Sequence, residues 1–384
     1  MIRAAIEPQM LRWARERAGA EVDELLRAFP KLPEWERGER QPTLKQVESF
    51  ARAVHVPVGY LFLAEPPVED IPIPDFRTVA GRDVGRPSPD LLDMIYACQE
   101  RQAWFRDFAR VSGLDPLGFI GSADPDSDIV EVAADMRARL GFDLQARASA
   151  GTWEEALRQF IRQTDDAGVM VMVSGIVGSN TSRKLNVEEF RGFALSDPLA
   201  PLVFINGADT KAAQMFTLAH ELAHLWLGTT ALSNQPADRR QGGRREETWC
   251  NAVAAEFLMP AEAVRNVLRQ GEALDQAKTR LARSFKVSTL VVLRRLKDVD
   301  YIDEDTFRAV WGREAAMLRE RAQRAGGGGD FYRSTISRVS TRFTKAVVSS
   351  ALEGQTLYRD AFRMLGVRKT ESFNTLGREI GVME

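Results

Sequence analysis

The sequence predicts a mostly helical α+β protein, and three observations predict it. Long stretches place apolar residues at helical spacing. A few short, wholly apolar runs of strand type lie between residues 169 and 205. A strongly apolar helix follows them and carries two of the chain's three histidines. At 384 residues and 44% hydrophobic content the chain can build a substantial core. Four segments are expected: 1–65, 66–150, 151–300 and 301–384.

The first segment reads as short helices. Met10, Leu11, Ala14 and Ala18 follow one helical face and Gly19 ends it. A second helix is expected from Glu21 to Phe29. Phe29-Pro30-Lys31-Leu32-Pro33 is a break, a short helix around Trp35 stops at Gly38, and Thr43 caps another that runs to about Val54. Residues 65–90 hold six prolines and read as an extended linker, with helices expected at 90–112 and 128–140.

From residue 151 the pattern changes. Trp153 to Thr164 is helix-like, and Val169–Val173, Phe193–Leu195 and Leu202–Ile205 are strand-like. A long helix is expected from about Ala208 to Gly228, a polar loop from Ser233 to Arg245, and a second helix from about Glu246 to Met259. Pro260 is placed at the first position of a further helix. Residues 301–384 read as helices interrupted by Gly326–Gly329, a hinge rather than a phosphate loop, since no Lys-Ser/Thr follows.

Composition excludes several function classes. Fifty-two basic against 54 acidic residues argue against a global polyanion-binding surface. Two cysteines, Cys98 and Cys250, make no disulfide framework, which points to a reducing, cytoplasmic setting. The first residues lack the apolar core of a secretion signal, and no apolar run reaches the roughly 20 residues of a membrane helix.

The chemistry concentrates in Phe216-Thr217-Leu218-Ala219-His220-Glu221-Leu222-Ala223-His224. At about 3.6 residues per turn, His220 and His224 share a face and can reach one metal ion. Glu221 can project toward a water activated by that metal and take its proton. Imidazoles and a carboxylate on so apolar a helix would be costly to bury without a purpose. The expected ion is Zn²⁺, and a catalytic zinc usually has three protein ligands. With histidines exhausted apart from His55, which reads as an ordinary residue of the first segment, a carboxylate on the next helix is needed. The candidates are Glu246, Glu247 and Glu256. Asn251 lies four residues after Glu247, so the two form one polar stripe, whereas Glu256 falls on the opposite side. Glu247 is the chosen ligand, with Asn251 supporting a ligand from behind. Cys250, off that stripe, reads as core.

These residues, together with Ala254-Ala255-Glu256-Phe257-Leu258-Met259-Pro260, Glu189-Phe190-Arg191-Gly192-Phe193 and Phe204-Ile205-Asn206, resemble the ImmA/IrrE family of metallopeptidases over roughly residues 151–260. The resemblance implies a zincin-like fold, zinc bound by His220, His224 and Glu247, and Glu221 as general base. It also implies a protein substrate, a repressor of the helix-turn-helix type.

The first segment is similar to the helix-turn-helix domain of phage-type repressors through Trp35-Glu36-Arg37-Gly38-Glu39-Arg40-Gln41-Pro42-Thr43 and Leu61-Phe62. That implies DNA as a possible partner, with Lys31, Arg37 and Arg40 as the contacting cations. The charge pattern opposes it. Residues 1–63 carry ten basic and nine acidic residues, and Glu34, Glu36 and Glu39 lie where phosphates would be met. The basic excess over residues 308–345 reads as a solvated helix face. The competing reading of the whole chain is a DNA-binding regulator or antitoxin whose peptidase domain serves as sensor or scaffold.

Overall fold

A computed structural model describes residues 3–19, 22–69, 71–74, 87–233, 245–324 and 331–383. They form two compact units. One comprises residues 1–72 and 85–93, and the other residues 73–84 and 94–384, within those limits. No helix among the described residues is long and apolar enough to cross a membrane.

The N-terminal unit is all-helical. Helices Pro8–Arg17, Val22–Ala28, Leu32–Glu36 and Leu44–Ala53 enclose Met10, Leu11, Leu32, Trp35, Val47 and Phe50. Thr43 caps the fourth helix as expected. Its hydroxyl accepts from the Gln46 amide while the Gln46 side chain accepts from the Thr43 amide, so two orphan donors are satisfied together. The stretch expected as a break from Phe29 to Pro33 already starts a helix at Leu32. Pro33 sits in its first turn, where a missing N–H costs nothing.

The second unit is built on a four-stranded sheet. Strands β1 (Met170–Ser174), β4 (Gly192–Leu195), β5 (Leu202–Asn206) and β6 (Ala231–Ser233) lie in the order β1-β5-β4-β6, beside a separate hairpin of β2 (Ile176–Val177) and β3 (Asn180–Lys184). β1 runs parallel to β5 with Met172 opposite Phe204. β4 is antiparallel to both neighbours, with Phe193 opposite Phe204 and Leu232. Both faces are covered, which is why these strands read as continuous apolar runs rather than alternations. Val171, Ala194, Val203 and Ile205 face one core together with the helix Lys211–Trp226. Across the sheet, Gln102 of helix Pro89–Val111 donates to the carbonyls of Leu195 and Ala200, both at 2.9 Å.

Helix Lys211–Trp226, the histidine helix, is capped by Thr210 and buried from Gln214 through Trp226. Its end is held by the loop at 121–123: Gly121 donates to the Leu225 carbonyl at 3.0 Å and Ala123 to that of Trp226 at 2.9 Å. Gly228 turns the chain there at φ +69°, and a Cβ on it would meet the Gly121 Cα at 3.0 Å. Helix Arg245–Leu258, the glutamate helix, packs between the histidine helix and helix Ile129–Leu140, with Cys250 in the core as expected. Pro260 is the N-cap of helix Ala261–Val267 rather than its first residue. Helices Leu274–Phe285 and Thr289–Asp298 extend the same core. Asp165 tethers the C-terminal helices. It accepts from the Ser340 hydroxyl (2.8 Å) and the Thr341 amide (3.1 Å) at the start of helix Thr341–Leu352, and from the Val171 amide (3.0 Å). The expected hinge at 326–329, most of the loop from 233 to 245, and part of the proline-rich linker lie outside the described residues.

Candidate metal centre

His220 and His224 point from successive turns of the histidine helix into one buried point, and Glu247 meets them from the first turn of the glutamate helix. The two Nε2 atoms stand 3.2 Å apart. Glu247 approaches that of His224 to 2.9 Å and that of His220 to 3.4 Å. One ligand atom from each residue lies within 4.8 Å of the others. Two ring nitrogens and a carboxylate converging with almost no solvent are the donor set that a tetrahedral N/O-preferring cation fits.

The surroundings prepare the donors. The Thr229 hydroxyl donates to the His224 carbonyl (3.3 Å), and its oxygen stands 3.1 Å from His224 Nδ1. With its proton on Nδ1, His224 would present the Nε2 lone pair to a metal ion. Asn251 lies beside His220 and favours its charged form. Burial pushes the Glu247 carboxyl up, but the charge of His220 and hydrogen bonding from both imidazoles outweigh it and hold the group well below the usual carboxylate range. Burial alone would lower His220, yet Glu247 raises it, whereas for His224 burial prevails and lowers it.

Glu221 is a different kind of carboxylate. It is fully buried on the same helix, and neither oxygen has a hydrogen-bond partner among the described residues. Burial pushes its carboxyl up to about 8. The charge of His220 opposes this, that of Glu247 adds to it, and the Ser233 hydroxyl nearby opposes it weakly. It lies against β4, where a Cβ on Gly192 would meet Thr217 Cγ2 at 2.6 Å, the Phe204 carbonyl at 2.8 Å and Glu221 Oε1 at 3.1 Å. Only glycine lets the strand approach the helix so closely. Beside His220, a small half-open cleft is lined by Phe216, Asn251, Ala252, Ala255, Val291 and Arg294.

The structure thus brings His220, Glu221, His224, Glu247 and Asn251 together. It sends Glu256 elsewhere, to Arg295 at 3.2 Å and the Ala261 amide at 3.3 Å. Glu246, next to Glu247, stays outside the cluster of ligand atoms. Sequence reasoning missed Thr229 and Ser233, for which no local spacing rule exists. Gly192 belongs to the Glu189–Phe193 segment of the family resemblance, but its contact with Glu221 follows from no spacing in the sequence. The three cations assigned to DNA are in the N-terminal unit. Arg37 pairs with Glu39 (2.6 Å), Arg40 approaches Glu34 (3.6 Å), and Lys31 precedes the helix Leu32–Glu36.

Comparison with known proteins agrees with this geometry. Residues 164–297 match the peptidase M78 family, described as an IrrE N-terminal-like domain, and residues 339–379 match a domain of unknown function (DUF8813). The chain is 35% identical over 136 residues to the radiation response metalloprotease IrrE of Deinococcus deserti, covering 34% of this chain and 46% of that protein. It is 35% identical over 106 residues to the protein of the same name from Deinococcus radiodurans, covering 27% and 32%. The chain therefore spans less than half the length of these curated relatives.

Proposed function

We propose, from the match of residues 164–297 to the IrrE N-terminal-like peptidase family and to the IrrE metalloproteases, that this protein is a zinc-dependent endopeptidase. The observation that carries the reading is the buried His220–His224–Glu247 group with the unpartnered carboxylate of Glu221 one residue from the first ligand. His220, His224 and Glu247 would hold the ion. When bound, zinc supplies Lewis acidity that polarises a peptide carbonyl and acidifies water. Glu221 takes the proton of the attacking water and returns it to the leaving amine, as a buried carboxyl raised toward neutrality is suited to do. Thr229 fixes the His224 ring and Asn251 supports His220.

The proposed substrate is a protein, a transcriptional repressor of the helix-turn-helix type, in keeping with the family. The alternative, a DNA-binding regulator with the metal site as sensor or scaffold, draws on the all-helical N-terminal unit. Zinc-loaded protein incubated with the product of a neighbouring repressor gene separates the two. Fragments should appear with the wild type, and Glu221→Gln should slow them by about 10²–10⁴ at unchanged zinc content. Intact repressor with both proteins, together with operator binding by the wild type, would favour the regulator.

A further inference from the structure

The N-terminal unit contains a groove of about 930 Å³ between the turn Ala28–Lys31, with Trp35 behind it, and the outer face of helix Leu44–Ala53. On that helix Lys45, Glu48, Ser49 and Arg52 follow one another at helical spacing and share the face turned to the groove. The lining is apolar at Phe29, Pro30, Trp35 and Leu44, and Leu44 is 44% exposed. The charged members are Lys31, Lys45 and Arg52 against the single acid Glu48. Among the described residues none of these three cations is held in an ion pair, and the Arg52 guanidinium touches only the Glu48 backbone carbonyl, at 3.2 Å. The neighbouring Arg37 and Arg40 are engaged by Glu39 and Glu34.

We propose that this groove docks an acidic peptide segment of a partner protein, one in which Asp or Glu side chains alternate with a large apolar residue. Charge complementarity and shape argue for it together. The cations at the edges match carboxylates at intervals along an extended chain, and the apolar floor takes the side chain between them. A DNA duplex fits less well. It is read by an element that projects into its groove. Here the corresponding helix, Leu32–Glu36, is five residues long, buries Leu32 and Trp35, and commits Glu36 to Arg15 at 2.8 Å. This inference stands apart from the reaction proposed for the metal centre.

The test uses the full chain and fluorescence anisotropy with a labelled peptide of alternating Glu and Leu, its Lys-Leu counterpart, and a labelled DNA duplex. The acidic peptide should bind saturably and more weakly as salt rises, while the basic peptide does not bind. The double variant Lys45→Glu, Arg52→Glu should bind about tenfold more weakly, the size expected when two edge charges of modest individual worth are reversed. The variant Arg37→Glu, Arg40→Glu should bind as the wild type does. Circular dichroism verifies the fold, and Lys45→Gln with Arg52→Gln replaces the reversal if that variant fails to fold. Absent binding of the acidic peptide, equal binding by the charge-reversed variant, or binding of the duplex in preference to the peptide would overturn the proposal.

Discussion

The metal-binding region and the turn from Glu34 to Arg40 in the N-terminal unit both gather charged side chains, and they treat them in opposite ways. In the first, His220, Glu221, His224 and Glu247 are withdrawn from water, with Glu221 lacking any hydrogen-bond partner among the described residues. In the second, Arg37 and Glu39 pair at the surface with more than half of each side chain exposed, and Arg40 and Glu34 nearly so. Burying ionisable groups without full compensation costs several kcal/mol, so a fold keeps such a group only where something else offsets the cost. Exposed pairs contribute ~0–1 kcal/mol and carry little information about purpose. The difference teaches that a buried carboxylate left without a hydrogen-bond partner, more than charge itself, marks the site that acts.

The largest effects should follow from breaking the buried group. Loss of one ligand in His224→Ala should reduce zinc from about one per chain to a small fraction, since two donors make an inadequate site. Elemental analysis showing full occupancy in this variant would remove the assignment. Glu247→Gln should weaken metal binding first and activity as a consequence, with recovery in added zinc. Retention of zinc by Glu247→Gln and its loss from Glu221→Gln would mean the two carboxylates have exchanged roles.

A second buried carboxylate sharpens the contrast, because Asp165, unlike Glu221, has hydrogen-bond donors from Ser340, Thr341 and Val171. Burial still prevails over them and pushes its carboxyl from the ordinary 3.8 up to about 6, with Arg342 nearby and Asp166 adjacent. The folded state then holds the proton more tightly than the unfolded chain. This group's contribution to stability should therefore fall as pH rises from about 4 to about 6 and stay flat above, by about 3 kcal/mol in all. Urea denaturation of the wild type and Asp165→Asn across that range measures it; parallel pH profiles for the two proteins would contradict it.

Thr229→Val tests the support behind the ligands. It removes the acceptor for the His224 Nδ1–H, and metal affinity should fall about 10–100-fold in a chelator competition. Unchanged affinity would show that the ring is held without Thr229. The smallest effect belongs to the N-terminal unit. Arg37→Ala with Arg40→Ala should change stability by less than about 0.5 kcal/mol, and DNA binding by the wild type should be weak and strongly salt-dependent. Nanomolar, salt-insensitive binding to a defined operator, lost in this variant, would restore the assignment of these residues to DNA.

Local pattern determined a good deal of this protein. The i, i+4 histidines with Glu221 between them, the Glu247–Asn251 stripe, the Thr43 cap and the apolar runs of β1, β4 and β5 are readable because helical and strand periodicities link neighbours in sequence to one face in space. What only the tertiary structure decided depends on contacts between residues remote in sequence. β6 is three residues long, and its pairing to β4 rests on a partner 37 to 41 positions away. The approach of Gly192 to Glu221, the Asp165 tether to Ser340 and the meeting of the glutamate helix with the histidine helix are of the same kind. The pairing of Arg37 and Arg40 with nearby glutamates was short in sequence but invisible too, because side-chain partners on an irregular turn follow no fixed period. Periodicity shows which face a residue occupies; what that face meets is settled only when the chain closes on itself.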